Sequence, residues 1–343
     1  MTSNQAVAVY GAYGHTGRFV VAELLRRSWT PILCGRDAEK LSAFGAQHPE
    51  LAQRVAASDN PAALDNALKG AVAVINCAGP FASTAAPVIE AALRARIPYL
   101  DVAAEIEANL DTIAQFSHRA REGGIVVVPA MAFYGGLGDL LATAAMGDWA
   151  EADEISIAYG LDSWLPTAGT LLAGQVSRQR RDGRRLVFGN GKLNYATGAA
   201  PPAEWTFPAP VGKQPVISEF TMADTVTISR HLKTPEIRSY MTTAAVKDLT
   251  APNQPAPTAS DDSGRSAQTF VVEVVLRRGS EERRALASGR DIYAFTAPLV
   301  VEAMERVVSG KVKTPGVFTA GEAFDARAFL EALCPEHLAW QVG

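Results

Sequence analysis

Cysteine is scarce in this chain, which has only three cysteines among its 343 residues. Cys34, Cys77 and Cys334 are too few and too far apart for a disulfide framework or a Cys-x-x-Cys metal site. Long hydrophobic runs are missing too, since no stretch approaches the ~18 uninterrupted apolar residues of a membrane span. The first residues also lack the charged, apolar and cleavage regions of a secretory signal. We therefore expect no membrane span and a reducing, cytoplasmic location.

Positive charge is not in excess either. The formal net charge is −4 at pH 7, so the sequence has no basic footprint for nucleic acid. The five histidines are isolated from one another, and no metal site is predicted. We interpret the one arginine cluster as a solvated helix end and turn, with contact to an acyl-phosphate carrier as the alternative. Its members are Arg178, Arg180, Arg181, Arg184 and Arg185.

Length and composition favour a folded chain of two domains. A length of 343 residues is that of two domains at about 100–200 residues each. The composition is 48% hydrophobic and 20% charged, which is close to the globular average. Disorder is therefore not expected as the general state of the chain.

A glycine-rich turn close to the amino end is the strongest motif. An apolar run at residues 7–10 leads into Gly11, Gly14 and Gly17, and an apolar period suited to a helix follows. Gly11 permits a sharp turn, Gly14 lets the backbone approach a bound group, and Gly17 lets the helix pack closely on the strand. Because a helix N-terminus offers unpaired N–H groups, this pattern predicts a dinucleotide pyrophosphate site; the alternative is a turn shaped by packing alone. The predicted contacts are Gly11, Tyr13, Gly14, His15, Thr16 and Gly17.

The end of a second predicted strand, at residues 31–34, indicates which dinucleotide binds. Arg36 comes about 20 residues after the last glycine, and its planar guanidinium suits a 2′-phosphate. NADP(H) is therefore preferred over NAD(H). Asp37 could contact a ribose hydroxyl, but we favour an N-cap of the next helix. Asp59, at the end of a third predicted strand (residues 55–59), lies near adenine or serves as a turn or cap.

A fourth predicted strand starts at residue 71 and ends in a loop of small residues. Ligands of open α/β sheets bind outside the carboxyl ends of the strands. We therefore expect this loop to line the pyrophosphate and the nicotinamide, although the amide of Asn76 could also simply form a turn. The predicted contacts are Asn76, Ala78, Gly79, Pro80 and Phe81.

Strands and helices alternate through the first 147 residues, which predicts a parallel, doubly wound Rossmann sheet. After residue 153, short strands separated by glycine and proline turns predict an α+β second domain containing an antiparallel sheet. We expect helices at residues 168–180, 294–309 and 326–333, and a loop or disordered insert at residues 252–265. The predicted strands of the second domain include residues 184–188, 204–207, 216–220, 225–229, 237–242 and 269–276.

Several of these segments together resemble the saccharopine dehydrogenase-like oxidoreductases, which include saccharopine reductases and trans-acting enoyl reductases. The resemblance implies an NADP(H)-binding Rossmann domain at residues 1–147 and 291–343. A substrate domain at residues 148–290 is then inserted before the returning C-terminal segment, with the site at the seam. Ala104 and residues 135–138 depart from the family pattern, which leaves the substrate open. The matching segments are residues 10–17, 35–36, 76–81, 99–105, 132–140, 293–297 and 314–317.

Three side chains at predicted strand ends are candidates for the catalytic proton donor. The cofactor supplies the hydride in such enzymes, so the protein has to manage one proton. Tyr99 and Asp101 end the fifth strand and Tyr134 follows the sixth, so we predict catalytic roles for these three. Asp101 could instead anchor a loop, and Tyr134 could be a pocket wall. We expect Asp139 to be a helix N-cap.

The sequence therefore predicts an NADPH-dependent oxidoreductase that reduces a C=N, C=O or activated C=C bond of a small or acyl substrate. Nucleic acid is not an expected partner, and a homodimer stays open. One alternative is an NADP(H)-binding redox sensor or assembly factor without turnover. Another is an opine- or saccharopine-type dehydrogenase, which needs several cations for its substrate carboxylates. The second domain offers Arg178, Arg230, Lys233 and Arg238 for that purpose.

Overall fold

Two β-sheets organise residues 5–343, the part of the chain that a computed structural model describes. The first sheet is parallel and is flanked by helices. Its strands are buried on both faces, and this explains their unbroken apolar sequences. The elements of this first half are β1 (Ala6–Tyr10), α1 (His15–Arg26), β2 (Thr30–Gly35), α2 (Ala38–Gly45), β3 (Gln53–Val55), α3 (Pro61–Leu68), β4 (Ala71–Asn76), α4 (Phe81–Ala95), β5 (Tyr99–Asp101), α5 (Ile106–Gly123), β6 (Val126–Val128) and α6 (Gly138–Met146).

The second half forms the other sheet. Its elements are β7 (Glu154–Leu161), α7 (Ala168–Arg180), β8 (Arg185–Gly189), β9 (Lys192–Ala196), β10 (Pro202–Thr206), β11 (Lys213–Ser218), α8 (Ala223–Ser229), β12 (Ile237–Thr242), α9 (Thr243–Thr250), β13 (Thr269–Arg278) and β14 (Glu281–Arg290). The C-terminal segment adds α10 (Ile292–Val308), β15 (Gly316–Val317), α11 (Ala320–Ala323), α12 (Ala326–Ala332) and β16 (Ala339–Val342).

The strand order of the first sheet is β3-β2-β1-β4-β5-β6-β15. This is the doubly wound Rossmann order with one further strand at its edge, and it confirms the predicted fold class. The chain reverses its direction of winding between β1 and β4, so a crevice opens there at the carboxyl ends of the strands. The glycine turn, Arg36 and the loop after Asn76 all follow strands that end at this crevice.

The second sheet has the order β10-β11-β12-β7-β13-β14-β16, with β8 and β9 attached beside β12. It is antiparallel except for the parallel pair of β12 and β7, so the sheet is mixed. Helix α6 packs on the face of this sheet against β13 and β14, although we placed its residues in the first domain. The C-terminal segment returns to the first sheet through α10 and β15, and its last strand, β16, joins the second sheet.

Several features of the second half differ from the sequence-based expectation, since β9, α9 and β14 were not predicted and one predicted strand is a helix. Residues 225–229 are rich in β-branched residues, yet they lie in the helix α8. Ala223 to Ile228 are all buried, and this packing overrides the local preference for a strand. The missed strand β14 begins with four charged residues. Its charges are paired across the sheet, as in the contact of 2.7 Å between Arg284 and Glu273.

Candidate functional site

A cavity of about 980 Å³ lies at the carboxyl ends of the first sheet and extends under the second half of the chain. Its volume is at the upper end of the range for ligand sites in proteins. The glycine turn, Arg36 and the loop after β4 form one side of the cavity. Helix α7, the start of α8 and Tyr293 of α10 form the other side. The first half, the second half and the C-terminal segment of the chain therefore all contribute to one continuous cavity.

The glycine turn is shaped for close approach of backbone to a ligand. Gly11 has a φ of +87°, and a Cβ atom there would lie 2.9 Å from the backbone nitrogen of Ala78. A Cβ atom at Gly17 would collide with the carbonyl oxygen of Gly11, so Gly17 packs the helix on the turn and does not line the cavity. No side chain caps α1, and its first turn carries no acidic residue. The first N–H groups of α1 therefore have no side-chain acceptor and are available to an anion, whereas the nitrogens of Gly11, Ala12 and Gly14 donate to backbone carbonyl oxygens.

His15 lies in the first turn of α1, between the glycine turn and helix α10 of the C-terminal segment. Its ring packs edge-on against Phe19 and Tyr293, with centroids 5.4 Å and 5.2 Å apart. Burial lowers the pKa of His15, so the imidazole is neutral at pH 7. Its Nε2 atom is buried without a hydrogen-bond partner among the described residues. A ligand in the cavity can therefore satisfy this atom.

Arg36 follows β2 at the adenosine end of the cavity. Its side chain is exposed, and it makes no ion pair or hydrogen bond with any residue between 5 and 343. Tyr13 packs against Gly35, and its hydroxyl accepts a hydrogen bond of 3.3 Å from the backbone nitrogen of Asp37. Asp37 caps α2 by accepting from the nitrogen of Lys40, which confirms the N-cap interpretation. The free guanidinium is thus the charged group that this corner offers to a ligand.

Ser58 lines this corner of the cavity, whereas Asp59 does not and its side chain is exposed. The sequence predicted an adenine contact for Asp59. The third strand ends earlier than we expected, at Val55, and this changes which residue faces the cavity. Asp59 therefore has no contact with the cavity, and Ser58 is the residue that lines it at this corner.

The loop after β4 is held by a buried amide. Asn76 is fully buried and accepts from the nitrogen of Ala78 at 3.0 Å, and its Nδ2 donates to Tyr99 and Thr84. Cys77, Ala78, Gly79 and Phe81 line the cavity, whereas Asn76 and Pro80 do not. Asn76 therefore shapes the loop and does not touch a ligand.

Glu105 fixes the start of α4, a role that the sequence did not reveal. Its two carboxylate oxygens accept from the backbone nitrogens of Phe81 at 2.6 Å and Ala82 at 3.0 Å. Burial raises the pKa of Glu105, and the two backbone hydrogen bonds oppose this shift. Glu105 itself precedes α5 at the N-cap position, but its side chain binds the N-terminus of α4 instead. The two contacts are 24 and 23 residues apart in sequence, so no local pattern reveals them.

Tyr99 and Asp101 lie beneath the cavity and do not line it. Both are fully buried, and the Tyr99 hydroxyl donates to Oδ2 of Asp101 at 2.8 Å. Oδ1 of Asp101 accepts from the nitrogens of Ala103 and Ala130. Residues 99 and 101 are on the same face of β5, and both side chains are engaged by buried partners inside the protein. The structure therefore does not support proton donation by these two residues, and it places Asp101 as the loop anchor that was the alternative.

Tyr134 lines the cavity and is buried among aromatic rings from both halves. Its ring centroid lies 5.1 Å from those of Tyr159 and Trp164. Its hydroxyl has no hydrogen-bond partner among the described residues. Burial raises the pKa of Tyr134 well above its usual value of 10, so the phenol stays protonated. Of the three predicted donors, it is the one that the structure brings to the cavity.

Tyr293 connects α10 to the second half and was missed as a site residue. Its hydroxyl accepts from Trp164 Nε1 at 3.2 Å and from the nitrogen of Thr167 at 3.3 Å, and it lies 2.9 Å from the hydroxyl of Thr170. The matching segment at residues 293–297 was the available signal, because it placed a tyrosine beside the returning helix. Tyr293 contacts both His15 and Thr170, and it therefore joins the glycine turn to α7.

Asp139 lies inside α6 and is not its N-cap, so that prediction was wrong. The carboxylate is fully buried, contacts His231 Nε2 at 2.6 Å and accepts from the nitrogen of Gly321 at 2.8 Å. Burial is the largest single influence and lowers the pKa of His231, but the hydrogen bond with Asp139 together with the charges of Asp139 and Glu322 raises it overall. The pair joins α6, α8 and α11. It is a structural contact between the two halves.

The structure divides the arginine cluster into paired and unpaired members. Arg180 pairs with Asp111 at 2.8 Å, and Arg185 pairs with Glu219 at 2.7 Å. Arg181 contacts Glu107, and Arg184 contacts Asp182. Arg178 lines the cavity and has no partner between residues 5 and 343. The cluster is therefore at a helix end and turn, as we expected, but it is not simply solvated, because all its members except Arg178 are paired within the described residues.

The described residues also bear on two other kinds of site, a metal centre and a membrane-spanning helix. Within residues 5–343, no group of three or more histidine, cysteine, aspartate or glutamate side chains is arranged to hold a metal ion. No helix in that range is both long and apolar enough to cross a membrane.

Comparison with known proteins identifies the first half of the chain. Residues 7–128 match the sequence model of the saccharopine dehydrogenase NADP binding domain. The saccharopine dehydrogenase-like oxidoreductase of Bos taurus is 29% identical over 145 residues, which cover 37% of this chain and 34% of that protein. A probable mitochondrial saccharopine dehydrogenase-like oxidoreductase of Arabidopsis thaliana is 30% identical over 142 residues, with 37% of this chain and 31% of that protein covered. The matching part thus spans about a third of these relatives.

The fold of the whole chain has a counterpart among solved structures. Apo saccharopine dehydrogenase (L-Glu forming) from Saccharomyces cerevisiae superposes with a TM-score of 0.66, covering 99% of this chain and 100% of that chain. The sequence identity is 11%, so this likeness concerns the fold alone. The resemblance predicted from the sequence is confirmed, and residues 7–128 are an NADP-binding domain of the saccharopine dehydrogenase type.

Proposed function

We propose that this chain, whose residues 7–128 match the saccharopine dehydrogenase NADP binding domain, is an NADPH-dependent reductase of a C=N, C=O or activated C=C bond. One observation carries the proposal: a single cavity is lined by the glycine turn, by Arg36 and by Tyr134, and neither the Arg36 guanidinium nor the buried Tyr134 hydroxyl has a partner within residues 5–343. These are the groups needed to bind a phosphorylated dinucleotide and to deliver one proton next to it.

The residues around the glycine turn fit NADP(H) in three respects. The uncapped start of α1 and the close packing of Gly11 on the loop after β4 provide a backbone cradle for a pyrophosphate. Unpaired Arg36 suits a 2′-phosphate, because a guanidinium binds phosphate with two parallel hydrogen bonds. The buried Nε2 atom of His15 also requires a partner. When bound, NADPH supplies the hydride, and the remaining work is done by the protein's own side chains.

Tyr134 donates the proton in this proposal. Its phenol is protonated at pH 7 because burial raises its pKa, and its hydroxyl is not engaged by another residue of the described chain. Donation to a carbonyl oxygen, an imine nitrogen or an enolate neutralises the charge that develops as the bond is reduced. Tyr99 and Asp101 act as positioning residues, since Asp101 holds the nitrogen of Ala130, four residues before Tyr134.

The cofactor preference is tested first, by fluorescence titration of the purified protein with NADPH and NADH. We expect Arg36→Ala to raise the NADPH Kd about tenfold to a hundredfold and to leave the NADH Kd unchanged, because one charged phosphate contact is lost. Arg94→Ala is the matched control, since Arg94 is exposed in the same half and pairs with Asp65 away from the cavity. Unchanged discrimination in Arg36→Ala would show that Arg36 does not recognise the 2′-phosphate.

Turnover is tested next, by following NADPH oxidation against a panel of imines, ketones and enones. We expect Tyr134→Phe to lower kcat about a hundredfold or more, with NADPH affinity unchanged. Tyr240→Phe is the control, because Tyr240 lies on β12 outside the cavity. Full activity of Tyr134→Phe would remove Tyr134 as the donor. NADPH binding without turnover of any compound would favour the sensor or assembly factor. A homodimer and a cytoplasmic location stay predictions.

A further inference from the structure

Four charged side chains line the cavity, and two of them are occupied by other residues of the described chain. The carboxylate of Glu105 is held by the nitrogens of Phe81 and Ala82. Arg181 donates to Ser177, contacts Glu107, and its Nε donates to the carbonyl oxygen of Arg184. Arg36 and Arg178 remain, and neither has a partner between residues 5 and 343. Arg36 is assigned to the cofactor, so Arg178 is the charge left for another ligand.

Arg178 lies on the helix that covers the cavity from the second half. Helix α7 begins at an N-cap, Thr167, and passes over the loop after β4, where a Cβ atom at Gly79 would lie 4.0 Å from that of Ala173. Arg178 is more than one helical turn beyond Ala173 and also contributes to the lining. Helix α7 therefore contributes Arg178 to the cavity from the second half of the chain.

The other three cations that the sequence offered to substrate carboxylates, Arg230, Lys233 and Arg238, form ion pairs away from the cavity. Arg230 contacts Glu322 at 2.7 Å and the carbonyl oxygen of Val317, and Arg238 contacts Glu154 at 2.8 Å. Lys233 pairs with Glu151. None of these three cations lines the cavity, which leaves one free cation where an opine- or saccharopine-type substrate needs several.

We propose that Arg178 binds a single oxyanion group of the substrate, whose remaining body is apolar. The inference rests on the proposed reductase function and narrows its substrate class. The apolar part is expected from the neighbouring lining, which includes Ile106, Leu171, Phe220, Met222 and Leu249. A guanidinium donates hydrogen bonds equally well to a carboxylate and to a phosphate monoester, so both sources of the oxyanion fit the site. A substrate with two or more converging carboxylates does not fit it, because one cation is available.

The test uses three probes of equal chain length with the NADPH-saturated protein: hexanoate, hexyl phosphate and the neutral hexanamide. Binding is measured by calorimetry. We expect at least one of the two anions to bind about tenfold or more tightly than the amide. Arg178→Gln should abolish this advantage and leave amide binding unchanged. The matched control is Arg180→Gln, because Arg180 is on the same helix, is exposed and does not line the cavity. The carboxylate and phosphate arms distinguish the two sources of the oxyanion.

Three outcomes would overturn the inference. The first is equal binding of the anions and the amide by the unmodified protein. In the second, Arg178→Gln weakens the amide as much as the anions, which would show a structural role for the side chain. In the third, Arg178→Gln raises the NADPH Kd, which would place Arg178 on the cofactor. None of these outcomes contradicts the proposed reductase, whereas absence of NADPH binding by the unmodified protein would remove the proposed function itself.

Discussion

The two sides of the cavity are built differently. On the cofactor side, the loops after β4, β5 and β6 are held by a chain of buried hydrogen bonds from Thr84 through Asn76 and Tyr99 to Asp101 and the nitrogen of Ala130. On the substrate side, Ser177 is the one buried residue of α7, and Leu171 and Leu172 are 50% and 43% exposed. The first side is fixed by buried side-chain hydrogen bonds beneath its loops, and the second is held mainly by side-chain contacts near the ends of α7.

This difference separates a general task from a specific one. Dinucleotide binding uses backbone N–H groups and close approach, which depend on loop geometry and therefore on a rigid support. Substrate choice depends on which side chains line the remaining space. The family match ends at residue 128, within the first half, and the structural likeness continues over 99% of the chain at 11% identity. The sequence match therefore lies on the rigid side, whereas the lightly held side is matched by its fold alone.

The largest effect is expected from adding one methyl group to the glycine turn, on the rigid cofactor side of the cavity. Gly11→Ala places a Cβ atom at a positive φ and 2.9 Å from the backbone of Ala78. We expect the free energy of unfolding to fall by about 2–5 kcal/mol, from left-handed strain plus overpacking, and NADPH binding to be lost. Urea unfolding and NADPH titration measure the two effects.

Gly70→Ala is the matched control for this substitution. Gly70 has a φ of +79°, and no atom lies within 4 Å of the Cβ position. Its cost should be the strain alone, about 1–2 kcal/mol, with NADPH binding retained. Equal losses of stability in the two variants would show that the approach of Gly11 to the next loop is not tight.

Two buried carboxyls sharpen the comparison further. Asp101 on the rigid side has both oxygens paired, whereas Oδ2 of Asp224 on the other side has no partner in residues 5–343. We expect Asp101→Asn to destabilise the protein by about 3 kcal/mol at pH 7.5, because an amide nitrogen faces donors. Asp224→Asn should change stability by less than about 1 kcal/mol, since the amide oxygen can still accept from Tyr159 and a buried charge is removed. Equal losses in urea unfolding would contradict this difference.

The pH dependence of stability follows from the same carboxyls. Burial raises the pKa of Asp224 from 3.8 to about 6, and the hydrogen bond from Tyr159 opposes the shift. Between about pH 4 and pH 6 the folded state binds this proton and the unfolded state does not, so this group adds stability as the pH falls. At about 1.4 kcal/mol per pKa unit, Asp224→Asn should remove about 2–3 kcal/mol of that gain.

Urea unfolding of both proteins from pH 4 to pH 7 measures this contribution as the difference between two curves. Asp262→Asn is the control, because Asp262 is exposed in the loop before β13. Its curve should run parallel to that of the unmodified protein. Parallel curves for Asp224→Asn would show that its carboxyl is not desolvated.

The smallest effect is expected on the exposed face of α7. Leu172 is 43% exposed, so Leu172→Gln should change the free energy of unfolding by less than about 0.5 kcal/mol. Val88→Gln on α4, a fully buried position of the rigid side, is the contrasting substitution and should destabilise strongly. A large loss from Leu172→Gln would show that α7 is held more firmly than its exposure indicates.

The sequence predicted best what depends on local pattern. The glycine turn, the end of β2 with Arg36 and the helix at 168–180 were all readable, because turns, strand ends and amphipathic periods depend on neighbouring residues. The directions of Tyr99 and Asp101 were not, since a three-residue strand does not reveal which of its faces meets the ligand. Glu105 on α4 and Asp139 on His231 act across long sequence separations, which no local pattern records.

The C-terminal segment has a consequence for the synthesis of the protein. Strand β15 completes one edge of the first sheet, β16 completes an edge of the second, and α10 covers α1 through the contacts of Arg27 with Glu302 and Glu305. On the ribosome, the chain before this segment therefore emerges with one face of α1, the β6 edge of the first sheet and the β14 edge of the second sheet uncovered until residues 292–342 have been translated. The nascent chain has to be shielded from aggregation over this interval, and its folding is completed after translation of this segment.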